Sequence, residues 1–314
     1  MELRPLGFGE IFDRAITLYI RNFLPFAGIV AVVVLPIAVL QYFIDTSSMT
    51  QFDQAMKILT HPNAPQPTTP VLPAFMTDPR VGILFAITLV VVYAIYPFSL
   101  NAVAIGVARL YTGRPVLFVP CYRGSLHRWP QVLGLLCVEF ALFIAWYIGF
   151  VIIVVLAVLL VTLLARAAVV LAIFAGIVAF LVALAALLFL APLFVALTFA
   201  MNAIVIEERP VFESIGLGFS RIFNREEFWR SVLFALAAGA VLLGAGMVAG
   251  IFSTIFLLLH WLPASAIVDT LFRAAITPFS IVLLAIYYFD VRIRREGFDL
   301  EAGLERLVES APAT

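Results

Sequence analysis

Charge is what this sequence has least of: Asp, Glu, Lys and Arg together make up 12% of its 314 residues, and lysine occurs once, at Lys57. Soluble domains carry about 25% charged residues, so a water-facing surface cannot be assembled from this chain. The formal net charge is zero, which excludes the basic field that a nucleic-acid partner requires. Cysteine is nearly absent. Cys121 in a polar connector and Cys137 in an apolar run suit neither a disulfide framework nor metal-ligand spacing, and read as small apolar side chains. His61, His127 and His260 fall in three separate polar segments and make neither a zinc site nor a nucleophile–base pair. Neither GxxxxGK[ST] nor HExxH occurs. No cofactor, no metal and no enzymatic activity are therefore expected. Glu2, Arg4, Glu10, Asp13 and Arg14 precede the first apolar run without a small-residue cleavage pattern, so the first span is expected to be retained.

What is present is apolar: 64% hydrophobic residues and a mean hydropathy of +1.13. Runs longer than the roughly 20 residues that cross a bilayer predict an all-α, polytopic membrane bundle of six transmembrane helices. The first covers about 23–44 and holds Pro25 and Pro36; the second covers about 81–108. Residues 45–80 between them form the one long polar connector, with six prolines from Pro62 to Pro79, and read as an extracytoplasmic loop whose first half, Met49 to Leu59, suits a short helix. The 76 residues from Gln131 to Ile206 carry only Glu139 and Arg166 as charges and read as two long helices turning near Arg166. Spans five and six cover about 231–256 and 267–289, and a polar cytoplasmic tail is expected over 290–314.

Arginine sets the orientation. Arg4, Arg14 and Arg21 precede span one; Arg109, Arg114, Arg123 and Arg128 separate spans two and three. Arg209, Arg221, Arg225 and Arg230 separate four and five, and Arg292, Arg294, Arg295 and Arg306 follow six. That puts 15 basic residues on one side and leaves Lys57, Arg80, Arg166 and Arg273 for the other. The positive-inside rule makes the 15 cytoplasmic, with both termini inside.

The same punctuation appears three times. Pro97, Pro192 and Pro278 each lie 17 residues before an arginine: Arg114, Arg209 and Arg295. Arg4, Arg114 and Arg209 are each followed by proline, which suits the first position of a helix. Three parallel two-helix units follow, at about 4–110, 114–206 and 209–295, each preceded by a cytoplasmic amphipathic helix. Phe8, Ile11, Phe12, Ala15, Ile16 and Tyr19 mark the apolar face of the first such helix, Phe118, Cys121, Tyr122, Ser125 and Trp129 a weaker one, and Phe212, Ile215, Phe219 and Phe223 the third. Small residues at 168, 172, 175, 176, 179 and 183, and Gly239, Gly246 and Gly250, form faces suited to close helix contact.

Glu139 is the one acidic side chain deep in the 76-residue block, nine residues past Pro130 and so roughly 14 Å in. A charged group there costs about 2.5–3.5 kcal/mol on insertion scales, which makes function the default reading. Asn101, eight residues before Arg109, and Asn202, seven before Arg209, lie at roughly 10–12 Å and are its candidate hydrogen-bond partners. A satisfied packing bond and a proton, ion or headgroup site are the alternatives. Asp269 and Arg273 have the spacing of an ion pair on one helix face.

The segment Tyr287-Tyr288-Phe289-Asp290-Val291-Arg292-Ile293-Arg294-Arg295-Glu296-Gly297-Phe298-Asp299-Leu300-Glu301 resembles the C-terminal signature of the glycerophosphoryl diester phosphodiesterase membrane domain family. Gly9 to Arg14 with Leu18 to Phe23, and Phe228-Trp229-Arg230, are similar to other parts of that family's pattern. The resemblance implies a multi-pass protein of the bacterial cytoplasmic membrane. No catalytic barrel and no His, Glu and Asp cluster accompany it, so the enzymatic half of the family name is not carried over. The expected function is a non-enzymatic membrane protein that organises or assists partner proteins or lipids. Its partners would be the bilayer and other membrane proteins, with no nucleic acid; the alternative is a transporter or permease subunit for a lipidic or weakly polar substrate using Glu139.

Overall fold

A backbone surrounded by apolar side chains must satisfy its own N–H and C=O groups, and a helix does so within one segment. The computed structural model describes residues 4–60 and 74–297, and among them no strand occurs. In order these are α1 (Phe8–Arg21), α2 (Phe23–Thr60), α3 (Ala74–Thr77), α4 (Pro79–Val90), a π-helical turn (Val91–Ile95), α5 (Tyr96–Tyr111) and α6 (Phe118–His127). Then come α7 (Trp129–Ala167), α8 (Val169–Ile206), α9 (Val211–Ile222), α10 (Glu227–Leu258) and α11 (Leu262–Glu296). Six stretches are long and apolar enough to cross a membrane: Phe23–Met49, Pro79–Tyr111, Trp129–Arg166, Val169–Ile206, Glu227–Leu258 and Leu262–Glu296.

Several boundaries differ from the sequence reading. The polar connector does not begin at residue 45, because α2 runs on to Thr60. No glycine or proline lies between Pro36 and Pro62, and Thr46, Ser47 and Ser48 return their hydroxyls to the carbonyls of Tyr42, Phe43 and Ile44 at 2.8–2.9 Å. Polar residues that bond to their own helix do not end it. Residues 61–73, with His61 and most of the connector's prolines, lie outside the described residues. Asp78 then caps α4, accepting from the Arg80 N–H at 2.9 Å with Pro79 behind it. Pro97 cannot donate to the carbonyl of Tyr93, and the turn immediately before it is widened into the π form.

The turn expected near Arg166 is a single residue, Ala168, extended at φ −158° and ψ 120° between helices of 39 and 38 residues. Where a polar tail is expected to begin, the helix again continues: α11 passes Asp290 and ends at Glu296, with Gly297 at φ 66°.

Packing divides the chain into two compact units. Among the described residues the first comprises 11–60, 74–126 and 241–283. In it α1 buries Ile11, Ala15, Leu18 and Tyr19, and the Tyr19 hydroxyl donates to the Ala275 carbonyl. Burial pushes that phenol up to about 12, so it stays a donor. Tyr122 of α6 donates to the Ile29 carbonyl of α2 at 2.7 Å, and Ser125 to the Phe98 carbonyl of α5 at 2.8 Å. Gly106 admits Phe26 so closely that a Cβ would lie 2.9 Å from its ring.

Among the described residues the second unit comprises 4–10, 127–240 and 284–297. Here the face of α9 differs from its apolar pattern. Ser214, Gly218, Arg221 and Ile222 are buried, while Phe212 is 83% exposed. The cause is Gly218, whose missing side chain lets α9 approach the backbone of α8; a Cβ there would stand 2.3 Å from the Ala196 carbonyl oxygen. The glycines predicted to make close contacts do not. A Cβ at Gly239, Gly246 or Gly250 meets nothing within 4 Å, and of the small residues expected to form a contact face at 168, 172, 175, 176, 179 and 183 only Ala172 is buried.

Gly218→Ala is therefore expected to destabilise by about 1–3 kcal/mol through overpacking against α8. Gly246→Ala should leave the thermal midpoint of the detergent-solubilised protein unchanged. Equal midpoints for the two variants would contradict the close α8–α9 approach.

Candidate functional site

Four of the arginines that mark one side of the membrane by their number, Arg221, Arg230, Arg292 and Arg294, are in the second unit partners of the largely buried carboxylates Glu207, Glu227 and Asp290. α9 carries Arg221 inward at 3% exposure. Its guanidinium forks onto Glu207, at the C-terminal cap of α8, at 2.9 and 3.2 Å, and onto Glu296, at the end of α11, at 2.7 and 2.9 Å. Arg221 also donates to the Tyr288 hydroxyl at 3.1 Å, and that hydroxyl donates to Glu207. Arg292 adds an ion pair to Glu207 at 3.4 Å and to Glu296 at 3.2 Å. Planar, bidentate contacts of this kind are what arginine supplies and lysine does not.

A second cluster follows one residue earlier on the same helix. Asp290 is fully buried. It accepts from the Leu6 N–H at 2.6 Å, from Arg230 of α10 at 2.6 Å and from Arg294 at 3.1 Å. Arg230 and Arg294 also donate to the Leu6 carbonyl. Glu227 accepts from Arg230 at 3.4 Å and from the Tyr287 hydroxyl at 3.3 Å. Neighbouring tyrosines thus serve different clusters, and both lie against Phe199, with Phe234 stacked on Tyr287 at 4.1 Å. The segments near Gly9, at Phe228–Arg230 and from Tyr287 contribute Glu10, Arg230 and Asp290 to this unit. Glu10 closes the start of α1 by accepting from the Gly7 N–H at 2.8 Å and pairing with Arg4 at 2.8 Å.

Burial opposes the charge on Glu207, but hydrogen bonds from Arg221 and Tyr288 and the nearby Arg292 outweigh it, so its carboxyl sits below the ordinary 4.5. Burial likewise opposes the charge on Arg221, and Glu207, Tyr288 and Glu296 together raise it above the ordinary arginine value.

Glu139 is half-buried on α7, and among the described residues no hydrogen bond or ion pair reaches it. The bond expected from Asn202 is not formed: the Asn202 amide nitrogen is buried without a partner among the described residues. The reason is register. Counted from the break at Ala168, Glu139 lies 29 residues back (168 − 139) and Asn202 lies 34 residues on (202 − 168), an offset of about 7 Å along the paired helices. Ser214 Oγ on α9 is also buried and unpaired among the described residues. Asn101 lies in the first unit, 4% exposed, with its amide nitrogen equally unpaired there. The predicted Asp269–Arg273 pair is formed at 2.6 Å. Cys121 is buried and Cys137 exposed.

The first unit also contains an open groove of about 690 Å³ between α2 and α11, lined by Leu35, Val39, Tyr42 and Phe43 on one side and by Ile267 and Leu271 on the other. The sequence carries a signal for both features. Spacings of four join Asp290 to Arg294 and Arg292 to Glu296, a pattern that continues a helix, and Leu35, Val39 and Phe43 share one helix ridge, as do Pro263, Ile267 and Leu271.

These elements define a multi-pass α-helical membrane protein. Set against protein-family models, curated proteins and solved structures, the chain matches none of them.

Removing one partner of a buried ion pair strands the others, so Arg221→Met is expected to cost about 3–5 kcal/mol. The depressed Glu207 carboxyl contributes stability that is complete above pH 4.5 and is lost as pH falls through its folded value. The thermal midpoint should therefore decline in acid below about that pH, and Glu207→Gln should flatten this part of the profile. An unchanged acid limb in Glu207→Gln would remove Glu207 from the account.

Proposed function

We propose that this is a non-enzymatic protein of the bacterial cytoplasmic membrane, with both termini in the cytoplasm, that organises or assists partner proteins or lipids. The 15 arginines on one side of the spans support the orientation, and the likeness to the glycerophosphoryl diester phosphodiesterase membrane domain family supports the compartment. The recurrence of one short helix before two long ones supports a chain built from three copies, with spans two, four and six equivalent.

The observation that carries the functional reading is the α7–α8 pair. Each helix is about 57–58 Å long at 1.5 Å per residue, and the most apolar 18-residue window of each contains no buried residue. A hydrocarbon layer of about 30 Å, crossed at a steep tilt of about 40°, covers only about 39 Å of helix. Apolar helix therefore remains beyond the lipid, towards the break at Ala168, and a membrane-protein partner is what would cover it. The charged side chains of the second unit support a structural role, since Arg221, Arg230, Glu207 and Asp290 are engaged in ion pairs.

A photo-crosslinking residue in place of Phe174 or Phe180, which are 68% and 66% exposed near the break, is expected to capture one protein species in fixed stoichiometry in native membranes. The same residue in place of Phe143 should capture lipid. Lipid adducts at all three positions would overturn the reading.

The unpartnered Glu139 favours a second reading, transport of a lipidic or weakly polar substrate. That reading requires pH-driven flux of a fluorescent phospholipid analogue in proteoliposomes that Glu139→Gln abolishes. Identical flux from wild type, variant and protein-free liposomes excludes it.

A further inference from the structure

The groove between α2 and α11 is built for a chain. Leu35, Val39 and Phe43 recur every fourth residue on α2, and Ile267 and Leu271 do the same on α11, so each wall is a continuous apolar ridge along its helix. Its volume of about 690 Å³ falls within the usual range of about 300–1,000 Å³ for small-molecule sites. The Thr270 hydroxyl on the wall is already spent on the Ala266 carbonyl at 2.6 Å. Tyr42 is then the lining side chain with a phenol to offer.

Charged groups are helical neighbours of the lining: Asp45 follows Tyr42 by three residues, Asp269 follows Ala266 by three, and Arg273 follows Thr270 by three. Asp45 is half-buried, accepts from Gln41 at 2.8 Å, and is within electrostatic reach of both Asp269 and Arg273. Arg273 pairs with Asp269 at 2.6 Å and is 61% exposed, which leaves guanidinium donors free. The trio holds two carboxylates and one guanidinium. One negative charge is left over for a cation, beside an arginine open to an anion.

An apolar chain joined to a phosphate and an ammonium satisfies all three features. We propose that the groove binds one acyl chain of an ethanolamine phospholipid, with its ammonium on Asp45 and Asp269 and its phosphate on Arg273. The primary ammonium is favoured over a choline head because it donates three hydrogen bonds to carboxylate oxygens, whereas a quaternary ammonium is held by an aromatic cage. A phosphatidylglycerol head brings a net negative charge to a trio that is already negative. The site stands on the first unit alone, independently of any partner on α7–α8.

The test uses full-length protein in mild detergent, offered dioleoyl phosphatidylethanolamine, phosphatidylcholine or phosphatidylglycerol in mixed micelles, with bound lipid counted by native mass spectrometry. Wild type is expected to retain one phosphatidylethanolamine with a roughly tenfold preference over the other two, a difference of about 1.4 kcal/mol. Ala266→Trp, which fills the groove, should lose retention of all three lipids. Asp45→Asn, which is nearly isosteric, should keep a bound lipid and lose the preference over phosphatidylcholine, and Arg273→Gln at its exposed position should weaken all three. Equal retention of the three lipids by wild type overturns the proposal, as does a preference that survives both Asp45→Asn and Arg273→Gln. The last two variants decide the matter even where Ala266→Trp does not fold.

Discussion

The second unit depends on charge neutrality achieved inside the protein. Glu207 and Glu296 face Arg221 and Arg292, and Asp290 and Glu227 face Arg230 and Arg294, so each cluster balances two acids against two bases. A charge taken out of water without such a partner costs several kcal/mol. Neutral clusters also depend on geometry: Arg221 reaches both Glu207 and Glu296 only when α9 lies close on α8, and that approach is what Gly218 permits. Ion pairs of this kind add little over a well-packed apolar core, yet they penalise every alternative register that breaks one of them. Their effect is to fix the last turns of α11 against α8, α9 and α10 and to tie the Leu6 backbone to the same place.

Away from those clusters, hydroxyls do little between helices. Thr88, Thr198 and Thr270 bond to carbonyls four residues back on their own helices, as Thr46, Ser47 and Ser48 do. A hydroxyl facing lipid has no better choice, because hydrocarbon offers no partner. The exceptions lie in the first unit: the Ser253–Ser265 contact at 2.8 Å, the Tyr96–Thr277 bond at 3.2 Å, and the bonds that Tyr19, Tyr122 and Ser125 donate to carbonyls of other helices. Van der Waals packing must therefore hold most of the spans, and where packing is incomplete, as between α2 and α11, an apolar groove remains.

The helices were legible because their lengths and hydropathy are set by the solvent they cross. Even the Ala168 break lies within two residues of the one basic side chain, Arg166, in its run. Burial of polar residues was not legible, and for one reason. Periodicity treats apolar residues as inward and charged ones as outward, whereas here the inward face of α9 is Ser214, Gly218 and Arg221, and Asp290, which reads as the start of a solvated tail, is helical and fully buried. What decides each case is a partner far away in sequence, such as Glu207 for Arg221 or Leu6 for Asp290.

Glu139 shows how depth counting fails in a hairpin of long helices. Measured from the arginine-rich ends, Glu139 and Asn202 lie within a few ångströms of one depth; measured from Ala168, which fixes how α7 and α8 pair, they miss by five residues. Connectors at the two ends of a helix pair need not be equally long, so residues counted from them carry that inequality as error, while residues counted from a one-residue turn do not. A carboxyl left unpaired by this register is either tolerated at a cost or met by something other than Asn202. Glu139 follows the buried Val132 and Leu135 on one ridge of α7 and is itself half-buried, so its carboxyl lies on the side of α7 that packs rather than on its exposed side.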